Sequence, residues 1–211
     1  MVNKRPGDIV QGDKTCDAPL SEVLKEYIAE KYNKPGAVFL GVVHRLDRPT
    51  SGIVVFAKTS KALARLNKMF SERETVKTYW AIVKNFPPTS QGTLRHYLKR
   101  NPKQNKSYAH SKAVPDSKEA ILHYKFLEKL DNYYLLEITL ETGRHHQIRA
   151  QLSAIGCPIK GDLKYGFERS NPDGSIHLHS QKLMFVHPVK KENILIAAQP
   201  PSDSLWDACQ L

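Results

Sequence analysis

The chain has 211 residues, 40% of them hydrophobic and 25% charged, which is enough for one globular domain with its own core. Lys and Arg number 32 against 21 for Asp and Glu, a formal net charge of +11, and this favours a nucleic-acid partner over a surface kept basic for solubility. Three scattered cysteines and no long apolar run argue against a disulfide framework, a cysteine zinc site and a membrane span, so we expect a cytoplasmic protein.

Apolar side chains recur three and four residues apart in two segments of the first half, which is the spacing of an amphipathic helix. Short apolar runs bounded by turn residues predict strands around them. The predicted helices span 20–32 and about 60–70, and the predicted strands span 37–43, 53–58 and 76–83. Thr59 and Ser60 are candidate caps for the second helix, because their hydroxyls can accept hydrogen bonds from its first turn.

The middle of the chain is polar and basic from residue 99 to 118. We interpret it as a long surface excursion, either a mobile hairpin or an arm that faces RNA. Further strands are predicted over 119–127, 133–140, 176–187 and 193–198, and a further helix is predicted to end at Gly156. Because strands outnumber helices and short turns join many of them, we predict an α+β fold with a mixed, mainly antiparallel sheet core flanked by helices.

One polar segment lies between two predicted buried strands, where a rigid scaffold can present a reactive side chain. It reads HRLDRPTSG and places the carboxylate of Asp47 between Arg45 and Arg48. Pro49 fixes its own φ and pushes Arg48 towards an extended conformation. Taken alone, the segment is better explained as an ordinary surface turn.

Two other segments carry candidate functional side chains. In ETGRHHQIRAQLSAIG, Arg144 and Arg149 are five residues apart and leave the predicted helix on different faces, so that one can meet RNA phosphate while the other pairs inward. In KTYWAIV, a predicted strand, Tyr79 and Trp80 point to opposite faces. One ring can then pack in the core while the other stacks on a ligand, although a basic helix turn and two core aromatic residues are also compatible.

Together and in this order, HRLDRPTSGIVVFAK, KTYWAIV and ETGRHHQIRAQLSAIGCPIKGDLKYG resemble three successive signatures of the RluA-type RNA pseudouridine synthases, and LHSQKLMFVHP resembles that family's closing strand. The resemblance implies a single catalytic domain over 1–211, shortened at the N-terminus relative to most members and without their S4-type domain. It also implies isomerisation of specific uridines to pseudouridine in ribosomal or transfer RNA. We expect a monomer that needs no metal and no other cofactor.

The resemblance also assigns roles to individual residues. Asp47 would be the nucleophile, Arg149 would pair with Asp47, and Tyr79 would stack on the uracil. Arg45 would fill the gap that a flipped uridine leaves in the RNA. The other candidate contacts to RNA or to the base are Arg48, Thr50, Lys58, Arg144 and Leu178. Whether the carboxylate first adds to the sugar, adds to the base or abstracts a sugar proton stays open.

Three other classes of protein are compatible with parts of the sequence. The first is a non-catalytic RNA-binding module with the same fold. The second is a metal-dependent hydrolase, although the sequence has no HExxH motif. Its candidate ligands are His145, His146, His177 and His179. The third is a hydrolase that uses Ser51, His44 and Asp47, although the sequence has no G-x-S-x-G motif.

Overall fold

The structure is a computed structural model that describes residues 1–12 and 17–210. The strands of this part of the chain are β1 (Val2–Lys4), β2 (Gly41–Val42), β3 (Ser51–Val54), β4 (Phe56–Ala57), β5 (Val76–Val83), β6 (Gln91–Asn101), β7 (Lys106–His110), β8 (Lys118–Lys129), β9 (Tyr134–Leu140), β10 (Leu178–Val186) and β11 (Asn193–Ala197). The helices are α1 (Leu20–Lys31), α2 (Ser60–Ser71) and α3 (Gln147–Ala154), with a short 3-10 helix at Leu163–Tyr165. None of the described helices is long and apolar enough to cross a bilayer.

One large mixed sheet dominates these residues. Its strands lie in the order β1-β3-β10-β5-β9-β8-β6-β7, and β11 pairs with the second half of β10. Among the described pairs of strands, β3 and β10 run parallel and the others run antiparallel. The strands β2 and β4 form a separate small sheet. The predicted α+β class with a mixed, mainly antiparallel sheet is therefore confirmed.

The apolar core lies on both faces of this sheet. Tyr79 and Trp80 point to opposite faces, as the strand period requires. On the face of Tyr79, apolar side chains of α3 such as Ile148 and Leu152 pack against the sheet. On the face of Trp80, the ring of Trp206 from the C-terminal segment covers the sheet. Burial on both faces fixes the strand register, because a slip of one residue would exchange the two faces.

Several predicted boundaries are confirmed. The first helix spans Leu20–Lys31, and β5 covers the predicted range 76–83. Thr59 caps α2, since its hydroxyl accepts a hydrogen bond from the amide of Ala62 at 3.1 Å. Gly156 follows α3 with a φ of +76°, a left-handed conformation that favours glycine after a helix.

Two predicted strands beside the Asp47 segment are wrong in extent. Of residues 37–43, only Gly41–Val42 forms a strand, and the predicted strand 53–58 is interrupted at Val55. The amide of Val55 donates to the side chain of His44, at 3.2 Å, instead of to a neighbouring strand. Because this hydrogen bond replaces a ladder contact, the chain leaves the large sheet after β3 and enters the small sheet at β4.

The basic stretch 99–118 contains a hairpin, and this hairpin is part of the large sheet. Residues 91–101 form β6, which pairs with β8, and the chain returns as β7 at the edge of the sheet. An apolar pattern could not indicate this strand, since Leu98 is the one buried hydrophobic side chain in the described strand β6. The first part of this strand, 91–98, was not predicted for that reason.

Gly52 allows the Asp47 segment to join the large sheet. It adopts a φ of +117°, and a Cβ atom at this position would lie 2.4 Å from the carbonyl oxygen of Ser180. Any side chain would therefore separate β3 from β10, the parallel pair that continues directly from the Asp47 loop.

Candidate active site

Asp47 lies in the loop between β2 and β3, with 29% of its side chain exposed. A backbone turn orders this loop, since the amide of Thr50 donates to the carbonyl of Asp47 at 3.0 Å. The next carbonyl, that of Arg48, accepts a hydrogen bond from the amide of Gly7 at 2.9 Å. The loop is thus fixed from within and from the N-terminal segment, which limits where the carboxylate can point.

Lys4 also supports this loop, and this residue is buried, with 1% of its surface exposed. Its ammonium donates to the carbonyls of Arg5, Asp8 and Arg48 at 2.8, 2.9 and 3.1 Å. Burial lowers the pKa of Lys4 to about 8, while the negative charges of Asp8 and Asp47 act in the opposite direction. Three acceptors for three donors satisfy a buried ammonium completely, and nothing in the sequence indicated this role.

Replacing Lys4 by methionine should lower the free energy of unfolding at pH 7 by about 1–3 kcal/mol, because three carbonyls lose their donor. It should also loosen the Asp47 loop through Arg48. Urea unfolding measures the first effect, with Lys99→Met in the exposed part of β6 as a matched control. Equal stabilities of the two variants would contradict this role of Lys4.

Arg149 and Asp47 are brought together as predicted. The Nη1 atom of Arg149 donates to Oδ2 of Asp47 at 2.9 Å. The Nε and Nη2 atoms of the same guanidinium donate to the two oxygens of Asp162 at 2.7 and 2.9 Å. Arg149 is buried and Asp162 is 1% exposed, so this bidentate pair is shielded from water and holds the guanidinium in one orientation.

Asp162 is another residue of the site that the sequence patterns did not indicate. It follows Gly161 in the PIKGD part of the third signature, and an acidic residue directly after a glycine within that signature was the available signal. Burial disfavours the charge of Arg149, but hydrogen bonds and charge from Asp162, and then from Asp47, outweigh it and raise the pKa of Arg149 above its usual value. The arginine therefore remains a cation beside Asp47.

A buried layer of polar rings lies on another side of Asp47. The Nε2 atom of His146 is 3.5 Å from Oδ2 of Asp47, and its Nδ1 atom is 3.0 Å from the hydroxyl of Tyr165. The ring of His145 stacks on His146 with 3.8 Å between the centroids. Burial lowers the pKa of His146 to about 3, so the imidazole is neutral at physiological pH.

Apolar side chains border the site. Leu46, Tyr79 and Leu178 belong to the core cluster on the α3 face of the sheet, and Leu178 and Tyr79 come from the adjacent strands β10 and β5. Burial raises the pKa of Tyr79 to about 12, which makes its phenol a poor base at neutral pH. This arrangement suits contact with a flat, uncharged ring better than proton transfer by the phenol.

The remaining predicted contact residues are spread around the loop. Arg45 is exposed, and Arg48 is exposed and forms a 2.8 Å ion pair with Asp17. Arg144 is half-buried, and its Nε atom donates to the carbonyl of Glu119 at 3.0 Å. Arg45 is therefore better placed than Arg48 or Arg144 to meet a ligand, since the other two already have partners.

Thr50 and Lys58 differ more from the expectation of direct contact. Thr50 is 2% exposed, and its hydroxyl has no hydrogen-bond partner among the described residues. Lys58 directly follows β4. Its ammonium lies 4.9 Å from the centroid of the Tyr32 ring. The contact of Lys58 is thus with Tyr32, and none of the described hydrogen bonds and ion pairs joins it to Asp47 or Arg149.

The histidines that suggested a metal site are divided among three places. His145 and His146 stack near Asp47, whereas Nε2 of His177 lies 3.1 Å from a carboxylate oxygen of Asp203. His179 shares a 2.8 Å hydrogen bond with the hydroxyl of Ser51. Within residues 1–12 and 17–210, no three His, Cys, Asp or Glu side chains are close enough to hold a metal ion.

The alternative arrangement of Ser51, His44 and Asp47 is not assembled. The hydroxyl of Ser51 pairs with His179, and the Nε2 atom of His44 accepts from the amide of Val55. A serine hydrolase needs its histidine within hydrogen-bond reach of its serine, and these two side chains have different partners.

Comparison with known proteins places this geometry in a family. The family model for RNA pseudouridylate synthase matches residues 1–154. An RNA pseudouridine synthase of Synechocystis, itself uncharacterised, is 34% identical over 206 residues, which cover 96% of this chain and 63% of the relative. Ribosomal large subunit pseudouridine synthase C of Buchnera aphidicola is 33% identical over 206 residues, which cover 94% of this chain and 63% of the relative.

A solved structure shares this fold. The structure of human RNA pseudouridylate synthase domain containing 4 matches with a TM-score of 0.77 at 24% identity, over 94% of this chain and 84% of the human one. The chain spans less than two thirds of the length of the two bacterial relatives. The family model covers most of the chain, and the chain therefore belongs to the RNA pseudouridylate synthase family.

Proposed function

We propose that this chain isomerises specific uridines of structured RNA to pseudouridine, with Asp47 as the nucleophile. The observation that carries the proposal is the partly exposed carboxylate of Asp47, held by the buried Arg149. Leu46 of the same loop belongs to one apolar cluster with Tyr79 and Leu178. The names of the relatives support the reaction, since they are RNA pseudouridine synthases and one of them is named for the large ribosomal subunit.

The reaction needs little besides such a site. The bond from C1′ of the ribose to N1 of the uracil breaks, the base turns, and a bond from C1′ to C5 forms. The proton on C5 is lost and N1 gains one, so the product is an isomer and no oxidant or energy source is consumed. A positioned carboxylate next to C1′ is the group that an oxocarbenium-like transition state requires, as in glycoside hydrolysis.

We assign the neighbouring side chains to the base. Tyr79 would stack on the uracil, and Leu178 would pack against it, because both belong to the apolar cluster that contains Leu46, the chain neighbour of Asp47. Arg45 is exposed in the same loop and would occupy the gap left by the flipped uridine, since a stacked base is unreachable. Arg48, Thr50, Lys58 and Arg144 remain proposed contacts of weaker structural support.

Cations of the hairpin β6–β7 and of the 3-10 helix give this site a positive border. Arg100 and Lys164 are exposed and close enough to His145 to lower its pKa, after the larger effect of burial. The ammonium of Lys106 lies 5.1 Å from the centroid of the Tyr165 ring. The amide of Ser107 in β7 donates to the hydroxyl of Tyr165 at 2.8 Å. The hairpin is thus joined to the site, which favours the RNA-facing interpretation of the basic segment.

Removing two of these cations should weaken RNA binding and its dependence on salt. The double variant Arg100→Ala, Lys106→Ala should lower the slope of log affinity against log salt by roughly 1.5, because each lost phosphate contact contributes about 0.7–0.9. A control with the same charge change is Lys129→Ala, Lys190→Ala, at two exposed positions: the end of β8 and the turn between β10 and β11. Equal slopes for the two double variants would contradict an RNA-facing hairpin.

The test of the proposed function is nucleoside analysis. RNA from cells that lack this gene is incubated with the protein, digested to nucleosides and separated by chromatography. We expect pseudouridine to appear at the expense of uridine. Bound RNA with unchanged nucleosides would instead favour the second candidate, a non-catalytic RNA-binding module.

Other properties belong to the same proposal. Residues 1–211 would form one catalytic domain that acts as a monomer in the cytoplasm, with RNA as its partner and without a metal or other cofactor. Activity in the presence of a chelator and a monomeric mass in solution are the expected results.

A further inference from the structure

The two carboxylate oxygens of Asp47 have different surroundings. Both neighbouring nitrogen donors lie nearest to Oδ2: Nη1 of Arg149 at 2.9 Å and Nε2 of His146 at 3.5 Å. Among the described residues, no hydrogen-bond donor reaches Oδ1. Since 29% of the side chain is exposed, Oδ1 is the oxygen with a free lone pair for a reacting atom.

The hydrogen bonds of Tyr165 determine which nitrogen of His146 carries the proton. The buried hydroxyl of Tyr165 accepts a hydrogen bond from the amide of Ser107 at 2.8 Å. Its own proton needs an acceptor, and among the described residues Nδ1 of His146, at 3.0 Å, is available. A neutral imidazole that accepts at Nδ1 carries its hydrogen on Nε2. That N–H faces Oδ2 of Asp47.

The backbone of His146 is in a conformation that nothing in the helix requires. Its φ of 51° and ψ of 28° are left-handed, a conformation that is strained for a residue other than glycine. The side chain of Gln147 stabilises this turn, because its Oε1 atom accepts from the hydroxyl of Thr142 and from the amide of Arg144, at 2.7 and 2.9 Å. Such conformations concentrate at functional sites.

We propose that His146 is a positioning residue whose neutral Nε2–H donates to Oδ2 of Asp47 and leaves Oδ1 as the attacking oxygen. The inference rests on the proposed function and deepens it. At 3.5 Å the contact is longer than a formed hydrogen bond, and it would close when RNA is bound, as catalytic hydrogen bonds often do.

A neutral donor fits this place better than a second cation. Arg149 already donates one charged hydrogen bond to Asp47 and donates two others to Asp162. A second positive charge would stabilise the carboxylate further and make it a weaker nucleophile. A neutral imidazole fixes the plane of the carboxylate with a smaller electrostatic effect on its reactivity.

Two substitutions of His146 separate positioning from a merely structural role. In His146→Gln, the side-chain nitrogen can reach the place of Nε2, so the donor to Asp47 is retained. In His146→Asn, the nitrogen reaches only the place of Nδ1, and asparagine tolerates the left-handed backbone. We expect His146→Asn to lower kcat by roughly 100-fold, the effect of losing one positioned donor. The KM for RNA should stay within about twofold, because ground-state binding is not affected.

His146→Gln should restore kcat to within about tenfold of the original protein, which is the conservative rescue that a positioning role predicts. If the role were structural, both variants would lower stability in urea and would lower kcat alike. Equal kcat values for His146→Asn and the original protein, or for His146→Asn and His146→Gln, would overturn the proposal.

The tautomer is measured without any activity assay. In protein labelled with ¹⁵N-histidine, the resonance pair absent from His146→Gln belongs to His146. We expect a protonated Nε2 and an unprotonated Nδ1, and Tyr165→Phe should remove this preference. Protonation at Nδ1 would overturn the proposal even if the protein isomerises uridine. Conversely, failure of the original protein to form pseudouridine would refute the proposed function, while the tautomer would still decide the hydrogen-bond assignment.

Discussion

Replacing Asp47 by asparagine is expected to lower the rate of uridine isomerisation on the order of 10⁴-fold or more, the scale on which an essential nucleophile acts. The amide has nearly the same shape as the carboxylate but cannot attack carbon. The fold should persist, because Asp47 is partly exposed and Arg149 keeps its bidentate pair with Asp162. RNA affinity should stay close to that of the original protein, since the positive border of the site is unchanged.

The measurement is single-turnover conversion with RNA bound at saturation, together with urea unfolding and RNA affinity. Asp17→Asn is the matched control, because Asp17 pairs with Arg48 of the same loop and is exposed. It should keep nearly full activity. Folded Asp47→Asn protein that binds RNA and retains a rate within tenfold would rule out Asp47 as the nucleophile.

Replacing Arg149 by methionine is expected to lower the free energy of unfolding by about 3–5 kcal/mol, because Asp162 would be left as a buried carboxylate without its partner. Activity should also fall to background, since Asp47 would lose the donor that orients it. The carboxylate of Asp162 is 1% exposed, so water cannot replace the guanidinium without opening the structure.

A second substitution separates these two effects. The double variant Arg149→Met, Asp162→Asn should recover much of the stability, because the uncompensated charge is gone, and should remain inactive. Urea unfolding and single-turnover conversion of both variants provide the comparison. Arg149→Met with unchanged stability, or an active double variant, would show that the buried pair neither supports the fold nor orients Asp47.

The local elements were predictable where one signal dominated. Thr59 precedes a strongly amphipathic segment and caps α2. Residues 76–83 contain an apolar run, and this run is buried as β5. The interruption at Val55 was not predictable, because it depends on a hydrogen bond to His44 eleven residues earlier in the chain. Likewise, β6 is a regular strand although charged and polar side chains occupy most of it.

The site, too, was predictable only in part. The pairing of Asp47 with Arg149 follows from the resemblance of two segments to family signatures, and the structure contains it. Asp162 and Lys4 were missed, because their roles depend on burial and on contacts with distant segments. The contact of Tyr165 with His146 was missed for the same reason, since nineteen residues separate them. Sequence patterns of this kind identify charged residues but not which of them lose contact with water.

Tritium release from RNA that carries 5-tritiated uridine tests the central claim most directly, because the reaction replaces the hydrogen on C5 by the bond to C1′. The RNA would come from cells lacking this gene, and the original protein and Asp47→Asn would be compared on the same sample. We expect the original protein alone to release tritium, in proportion to the pseudouridine formed. Release by both proteins at equal rates, or by neither while RNA is bound, would contradict isomerisation by Asp47.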